Sequence, residues 1–146
     1  MVTKRNGDSL YRTNLILHGV FGSIALAIIV MSFLMQCDGG SRVYLPGMTT
    51  PMPETCSTKM MLGMNCPGCG LTRGFIAISD GDPARAWYFN PASWAVYAFV
   101  AIQIPWHAWQ ASRVMRGSGP VESNWFYLAP VLVGIAILAQ WLWRLA

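Results

Sequence analysis

The stretch NLILHGVFGSIALAIIVMSFLM, residues 14–35, contains no charged side chain. A helix needs about 20 apolar residues to cross the hydrocarbon core of a bilayer. Two further uncharged runs of similar length lie at about 91–111 and 125–143. Each run is apolar on all faces, which differs from the one apolar stripe of a surface helix in a soluble protein. The sequence therefore predicts an all-α membrane protein with three transmembrane helices.

The composition of the 146-residue chain favours the same fold class. The hydrophobic fraction is 54% and the charged fraction is 11%, whereas soluble domains carry roughly 25% charged residues. The net charge of +4 is spread over the termini and loops, without the basic stripe and interleaved aromatics that bind nucleic acid. We expect one membrane domain over residues 1–146, in contact with membrane lipid and with no nucleic-acid partner.

Basic residues near the ends of the spans predict the orientation. They divide five to three between the two sides: Lys4, Arg5, Arg12, Arg113 and Arg116 against Arg42, Arg85 and Arg144. The richer side is expected in the cytoplasm, so the N-terminus is predicted to be cytoplasmic and the loop after the first span to lie outside. The first run exceeds the apolar region of a signal peptide, which is roughly 7–15 residues long, and is expected to be a retained anchor.

The loop between the first two spans, about residues 38–90, carries the polar chemistry. Its first half is rich in Gly, Pro, Thr and Met, which is typical of irregular structure. Pro67 fits the first turn of a short helix that includes residues 71–78, which is predicted to lie at the membrane interface or to re-enter the membrane. The pairs Asp82-Pro83 and Asn90-Pro91 predict two further helix starts.

Two of the four cysteines form a Cys-x-x-Cys pair, and three interpretations of the cysteines remain open. Four cysteines could form a tetrahedral metal site, in which Cys56, Cys66 and Cys69 are the candidate ligands, Cys37 lies further away at the end of the first span, and zinc is the candidate cofactor. Alternatively, Cys66 and Cys69 exchange disulfides, with Cys56 as a resolving partner. The third interpretation is a structural disulfide or free thiols. Glycines beside Cys69 and the helix that follows it are expected to favour the thiolate form.

Other polar residues have both functional and structural explanations. Arg73 is expected either to neutralise a thiolate or to reach the headgroups, and Asp82 and Asn90 are interpreted as caps. His18 and His107 lie within spans and are expected to pair between helices. The sequence has no Ser/His/Asp set, paired carboxylates, phosphate loop or dinucleotide fingerprint, so no enzyme class is predicted.

The run Cys-Pro-Gly-Cys-Gly-Leu-Thr-Arg-Gly, residues 66–74, resembles the signature of a bacterial membrane family, domain of unknown function 2752. The upstream Cys56 and Gly63, the pair Gly81-Asp82 and the pair Asn90-Pro91 extend the resemblance over about Cys56 to Ile104. The resemblance implies a small multi-span protein of the bacterial inner (cytoplasmic) membrane and supplies no activity. Cys37 lies outside the pattern.

The sequence thus predicts a non-enzymatic accessory or binding protein with a metal-stabilised or thiol-stabilised loop. The alternative is a membrane thiol–disulfide oxidoreductase that uses Cys66 and Cys69. A larger membrane protein or a homo-oligomer is the expected partner.

Overall fold

The computed structural model describes residues 2–38, 42–53, 56, 58, 61, 63–121 and 124–145. Five helices lie in these residues, namely α1 (Val2–Leu34), α2 (Leu71–Ser79), α3 (Pro83–Phe89), α4 (Ala92–Met115) and α5 (Trp125–Leu145). The strands β1 (Gln36–Cys37) and β2 (Val43–Tyr44) pair antiparallel directly after α1. The predominantly helical fold predicted from the sequence is confirmed, and the short hairpin was not predicted.

Among these residues, one helix is long and apolar enough to cross a membrane. It is the part of α1 from Ser9 to Leu34, with a mean hydropathy of 2.2. The apolar stretch Leu128–Arg144 of α5 is shorter. In α4, which has 24 residues, the polar side chains of Gln103, His107 and Gln110 lower the hydropathy.

The helices α1 and α4 pack closely against each other. A Cβ atom at Gly22 would lie 3.2 Å from the Cβ of His107, so the two backbones approach at a residue without a side chain. The Nδ1 atoms of His18 and His107 are 2.9 Å apart, so one ring donates a hydrogen bond to the other. Each histidine thus pairs with a neighbouring helix, as expected, and the partner of each is the other histidine.

A tight corner joins α2 to α3. Gly81 has a φ of 75°, and its N–H donates to the Ile78 carbonyl while the N–H of Asp82 donates to the Ala77 carbonyl. These two bonds close the end of α2 as a Schellman motif. The Asp82 carboxylate then accepts from the N–H of Arg85 at 2.9 Å, which confirms Asp82 as the N-cap of α3.

The short helix predicted in the loop is α2, with nine residues. It buries Gly74, Phe75, Ile76 and Ala77 inside the protein. A Cβ atom at Gly74 would lie 2.5 Å from the Cβ of Ser93 in α4, so glycine lets the two helices touch. The prediction that Pro67 belongs to the first turn of this helix is wrong, because a turn occupies residues 67–70 and the helix begins at Leu71.

Candidate cysteine site

Three sulfur atoms meet immediately before α2. The Sγ of Cys69 lies 3.0 Å from that of Cys56 and 3.1 Å from that of Cys66. All three sulfurs lie within 4.8 Å of one another. Cys69 is therefore the central member, and we call these three residues the cysteine cluster.

The backbone between Cys66 and Leu71 is built from consecutive turns. The N–H of Cys69 donates to the Cys66 carbonyl, and the N–H of Leu71 donates to the Gly68 carbonyl, each at 3.0 Å. Gly70 has a φ of 86°, a conformation that costs other residues roughly 1–2 kcal/mol. The turns bring Cys66 and Cys69 to one side, as a metal site or a disulfide requires.

Gly70 is also required by close packing. A Cβ atom at this position would lie 2.5 Å from the carbonyl oxygen of Phe89 at the end of α3. No side chain fits there unless the backbone moves. The cysteine turn is thereby seated directly on the last residue of α3.

Asn90 fixes the cysteine turn to the start of α4. Its side chain is fully buried, and its Nδ2 donates to the carbonyls of Pro67 at 3.2 Å and Cys69 at 3.1 Å. Its Oδ1 accepts from the N–H of Ala92 at 2.9 Å. Pro91 is the N-cap residue of α4, but the Asn90 side chain caps the first helical N–H as predicted and also holds two carbonyls of the cysteine turn.

The far end of α5 contacts the same region, which the sequence did not predict. The indole Nε1 of Trp141 donates to the Asn65 carbonyl at 2.8 Å, one residue before Cys66. The Nη2 of Arg144 donates to the Phe89 carbonyl at 3.1 Å. From the sequence, Arg144 was used only to predict the orientation of the spans.

The surroundings of the central cysteine, Cys69, favour its thiol over its thiolate. Burial, together with the hydrogen bonds with Cys56 and Cys66, raises the pKa of the Cys69 thiol to about 12. The N–H of Cys66 donates to the Cys69 sulfur at 3.2 Å and favours thiolate, but its effect is smaller. The expectation that the turn and its amides favour thiolate is therefore wrong for Cys69.

A bound cation changes this balance, because a coordinating thiol is deprotonated by the metal. Thiolates are preferred ligands of zinc and other soft ions. Tetrahedral zinc with Zn–S bonds of about 2.3 Å places its sulfurs about 3.8 Å apart. The two short separations, 3.0 and 3.1 Å, need to open by about 0.7–0.8 Å to hold the ion. The three residues predicted as metal ligands therefore fit that role in type and position.

Two residues named from the sequence lie beside this cluster rather than in it. The guanidinium of Arg73 packs over the Phe89 ring, 5.0 Å from its centroid. Cys37 packs against the small apolar core formed by Ala77, Ala86 and Phe89, and it does not belong to the group of sulfurs within 4.8 Å.

No curated protein and no solved structure matches this chain. Residues 56–104 match a family described as "Protein of unknown function (DUF2752)". The matched segment contains all three cysteines of the cluster together with Arg73, Asp82 and Asn90. The resemblance predicted from the sequence is confirmed, since this third of the chain, from Cys56 to Ile104, is similar to the DUF2752 family.

Proposed function

We propose that this protein is a membrane accessory or binding protein whose cysteine cluster holds a metal ion, with zinc as the candidate. The observation that carries the proposal is the meeting of three sulfurs within 4.8 Å at Cys56, Cys66 and Cys69. The ion stabilises the loop between the first two spans and fixes its outer surface. That surface docks a larger membrane protein or a second copy of the chain.

The proposal places the protein in a bacterial inner membrane with three spans and a cytoplasmic N-terminus. Only 11% of the most apolar window of α1 is buried within the chain, whereas the core helix of a soluble protein is mostly buried. The bond from Trp141 to the Asn65 carbonyl joins the end of α5 to the cysteine turn. This contact supports a topology in which the loop and the C-terminal end of the third span share one side of the membrane.

Elemental analysis of the purified full-length protein tests the metal site. We expect about one zinc ion per chain, because one cluster of this kind holds one ion. The double variant Cys66→Ser, Cys69→Ser is expected to lose the ion, since only Cys56 would remain of the three ligands. An absence of metal from wild-type protein purified without chelators, after zinc has also been offered, refutes the proposal.

The alternative function is thiol–disulfide exchange. The observation that favours it is the position of Cys69, whose sulfur contacts those of both Cys56 and Cys66. Cys66 and Cys69 would pass two electrons and two protons to a disulfide of a substrate protein, which becomes two thiols while Cys66–Cys69 becomes a disulfide. Cys56 contacts the same sulfur and could resolve a mixed disulfide. Thiol trapping in cells distinguishes the two functions, because exchange produces mixed disulfides on Cys66 that accumulate when both resolving cysteines are replaced in a Cys56→Ser, Cys69→Ser variant. Trapping that finds one fixed redox state refutes exchange.

A further inference from the structure

Three arginines from three helices converge on one residue, Phe89. The guanidinium carbon of Arg73 in α2 lies 5.0 Å from the centroid of the Phe89 ring. That of Arg85 in α3 lies 5.6 Å from the same centroid. The Nη2 of Arg144 in α5 donates to the Phe89 backbone carbonyl at 3.1 Å. We call these three side chains the arginine cluster.

The contacts of two of these arginines leave their charge uncompensated. Arg85 donates through Nη2 to the carbonyl of Cys37 at 3.1 Å, and Arg144 donates to the carbonyls of Tyr88 and Phe89. These acceptors are neutral, and within the part of the chain that the structure describes neither arginine pairs with a carboxylate. The nearby Asp82 uses its carboxylate on the backbone N–H of Arg85. Each guanidinium has five N–H donors, so most donors of Arg85 and Arg144 remain available to a ligand.

The side chains around the arginine cluster are of the kind found at the depth of the lipid headgroups in a membrane. Three aromatic side chains beside it are strongly exposed, with Trp87 at 63%, Tyr88 at 79% and Trp143 at 85%. Such rings concentrate where a membrane meets water. A headgroup surface supplies phosphates, and the planar fork of a guanidinium matches a phosphate with two parallel hydrogen bonds.

The arginines are also held in place before any ligand arrives. A snorkelling arginine extends freely into water, whereas Arg73 and Arg85 are packed against the Phe89 ring. Arg144 is tied to the end of α3. We infer that the arginine cluster is a binding site for a phosphate group, carried either by a membrane lipid or by a free phosphate anion.

Native mass spectrometry of the full-length protein, released from detergent micelles, tests this site with two lipids. Phosphatidic acid and diacylglycerol differ only in the phosphate, so we expect the first to be retained and the second to be lost. Inorganic phosphate is added as a competitor in a separate arm. Competition by phosphate together with retention of phosphatidic acid assigns the phosphate group itself as the ligand. Retention without competition assigns the lipid as the source, and binding of inorganic phosphate alone assigns the free anion.

The double variant Arg85→Gln, Arg144→Gln is expected to bind phosphatidic acid about tenfold more weakly or worse, the loss that accompanies removal of charge-assisted hydrogen bonds. The control is Arg116→Gln, an exposed arginine beyond the other end of α4, for which we expect no change. The variant Arg85→Lys, Arg144→Lys keeps the charge and loses the planar guanidinium groups. It replaces the glutamine variant in the binding test if that variant fails to fold. Equal binding by wild type and the folded variants, equal retention of the two lipids, or binding of neither probe overturns the inference.

Discussion

Replacement of Asn90 by alanine tests how the cysteine turn is held. The Asn90 side chain is fully buried and makes three hydrogen bonds, to the carbonyls of Pro67 and Cys69 and from the N–H of Ala92. Alanine removes all three and returns no partner to these groups. The variant therefore separates the start of α4 from the turn that carries the sulfurs.

The expected loss follows from these bonds. Loss of a side-chain cap costs about 1 kcal/mol, and each of the two donated hydrogen bonds contributes a net of about 1 kcal/mol. We expect Asn90→Ala to lower the free energy of unfolding by about 3 kcal/mol and to weaken metal binding. Asn90→Asp keeps the acceptor for the Ala92 N–H but turns a buried carboxylate oxygen toward the carbonyls of Pro67 and Cys69, so it should destabilise the protein at least as much as Asn90→Ala.

Unfolding of the purified protein in mixed micelles, followed by helical circular dichroism, measures this loss. The matched control is Asn65→Ala, because the Asn65 side chain is exposed, its contact with Trp141 is made by the backbone carbonyl, and exposed substitutions usually change stability by less than about 0.5 kcal/mol. The reasoning is refuted if Asn90→Ala unfolds like wild type, or if Asn65→Ala loses as much.

Three other predictions concern the same region. Gly70→Ala should destabilise the fold by about 2 kcal/mol or more, for two reasons. The new Cβ would lie 2.5 Å from the Phe89 carbonyl oxygen, and alanine is strained at a φ of 86°. Gly117→Ala carries a similar φ of 78° with open space around it, so equal losses in the two unfolding curves would contradict the role of the contact. Cys37→Ser should leave the metal content unchanged in elemental analysis. Loss of the metal from this variant would show that Cys37 is a ligand. Metal affinity should rise with pH, by up to about tenfold per pH unit for each proton released, because burial raises the pKa of Cys69 to about 12 and the thiol must lose its proton to bind. An affinity that stays flat between about pH 6 and pH 8 in a competition titration would show that no thiol proton is released.

Local signals in the sequence predicted the helices well. Long uncharged runs predicted the positions of α1, α4 and α5, since such runs have no alternative to a helix in a bilayer. Asp82 before Pro83 predicted the start of α3, because an N-cap depends only on the next three residues. Pro67 misled the prediction of α2, since proline at the second position of a turn has the same φ as in a first helical turn.

The cysteine cluster was predicted in composition but not in its surroundings. The Cys-x-x-Cys spacing brings two sulfurs together, Cys56 was a candidate from the cysteine count, and the family resemblance set Cys37 apart. The contacts of Trp141 and Arg144 join residues more than 50 positions apart, and no local pattern encodes them. The pKa of Cys69 was predicted in the wrong direction because burial, which raises it, is a property of the folded chain.

X-ray absorption spectroscopy at the zinc edge of the purified, zinc-loaded protein tests the central claim most directly, because it counts the sulfur ligands of the ion. The account predicts three sulfur ligands at about 2.3 Å, from Cys56, Cys66 and Cys69, and fewer in a Cys56→Ser variant. Zinc surrounded by oxygen and nitrogen alone, or a sulfur count unchanged by Cys56→Ser, would contradict it.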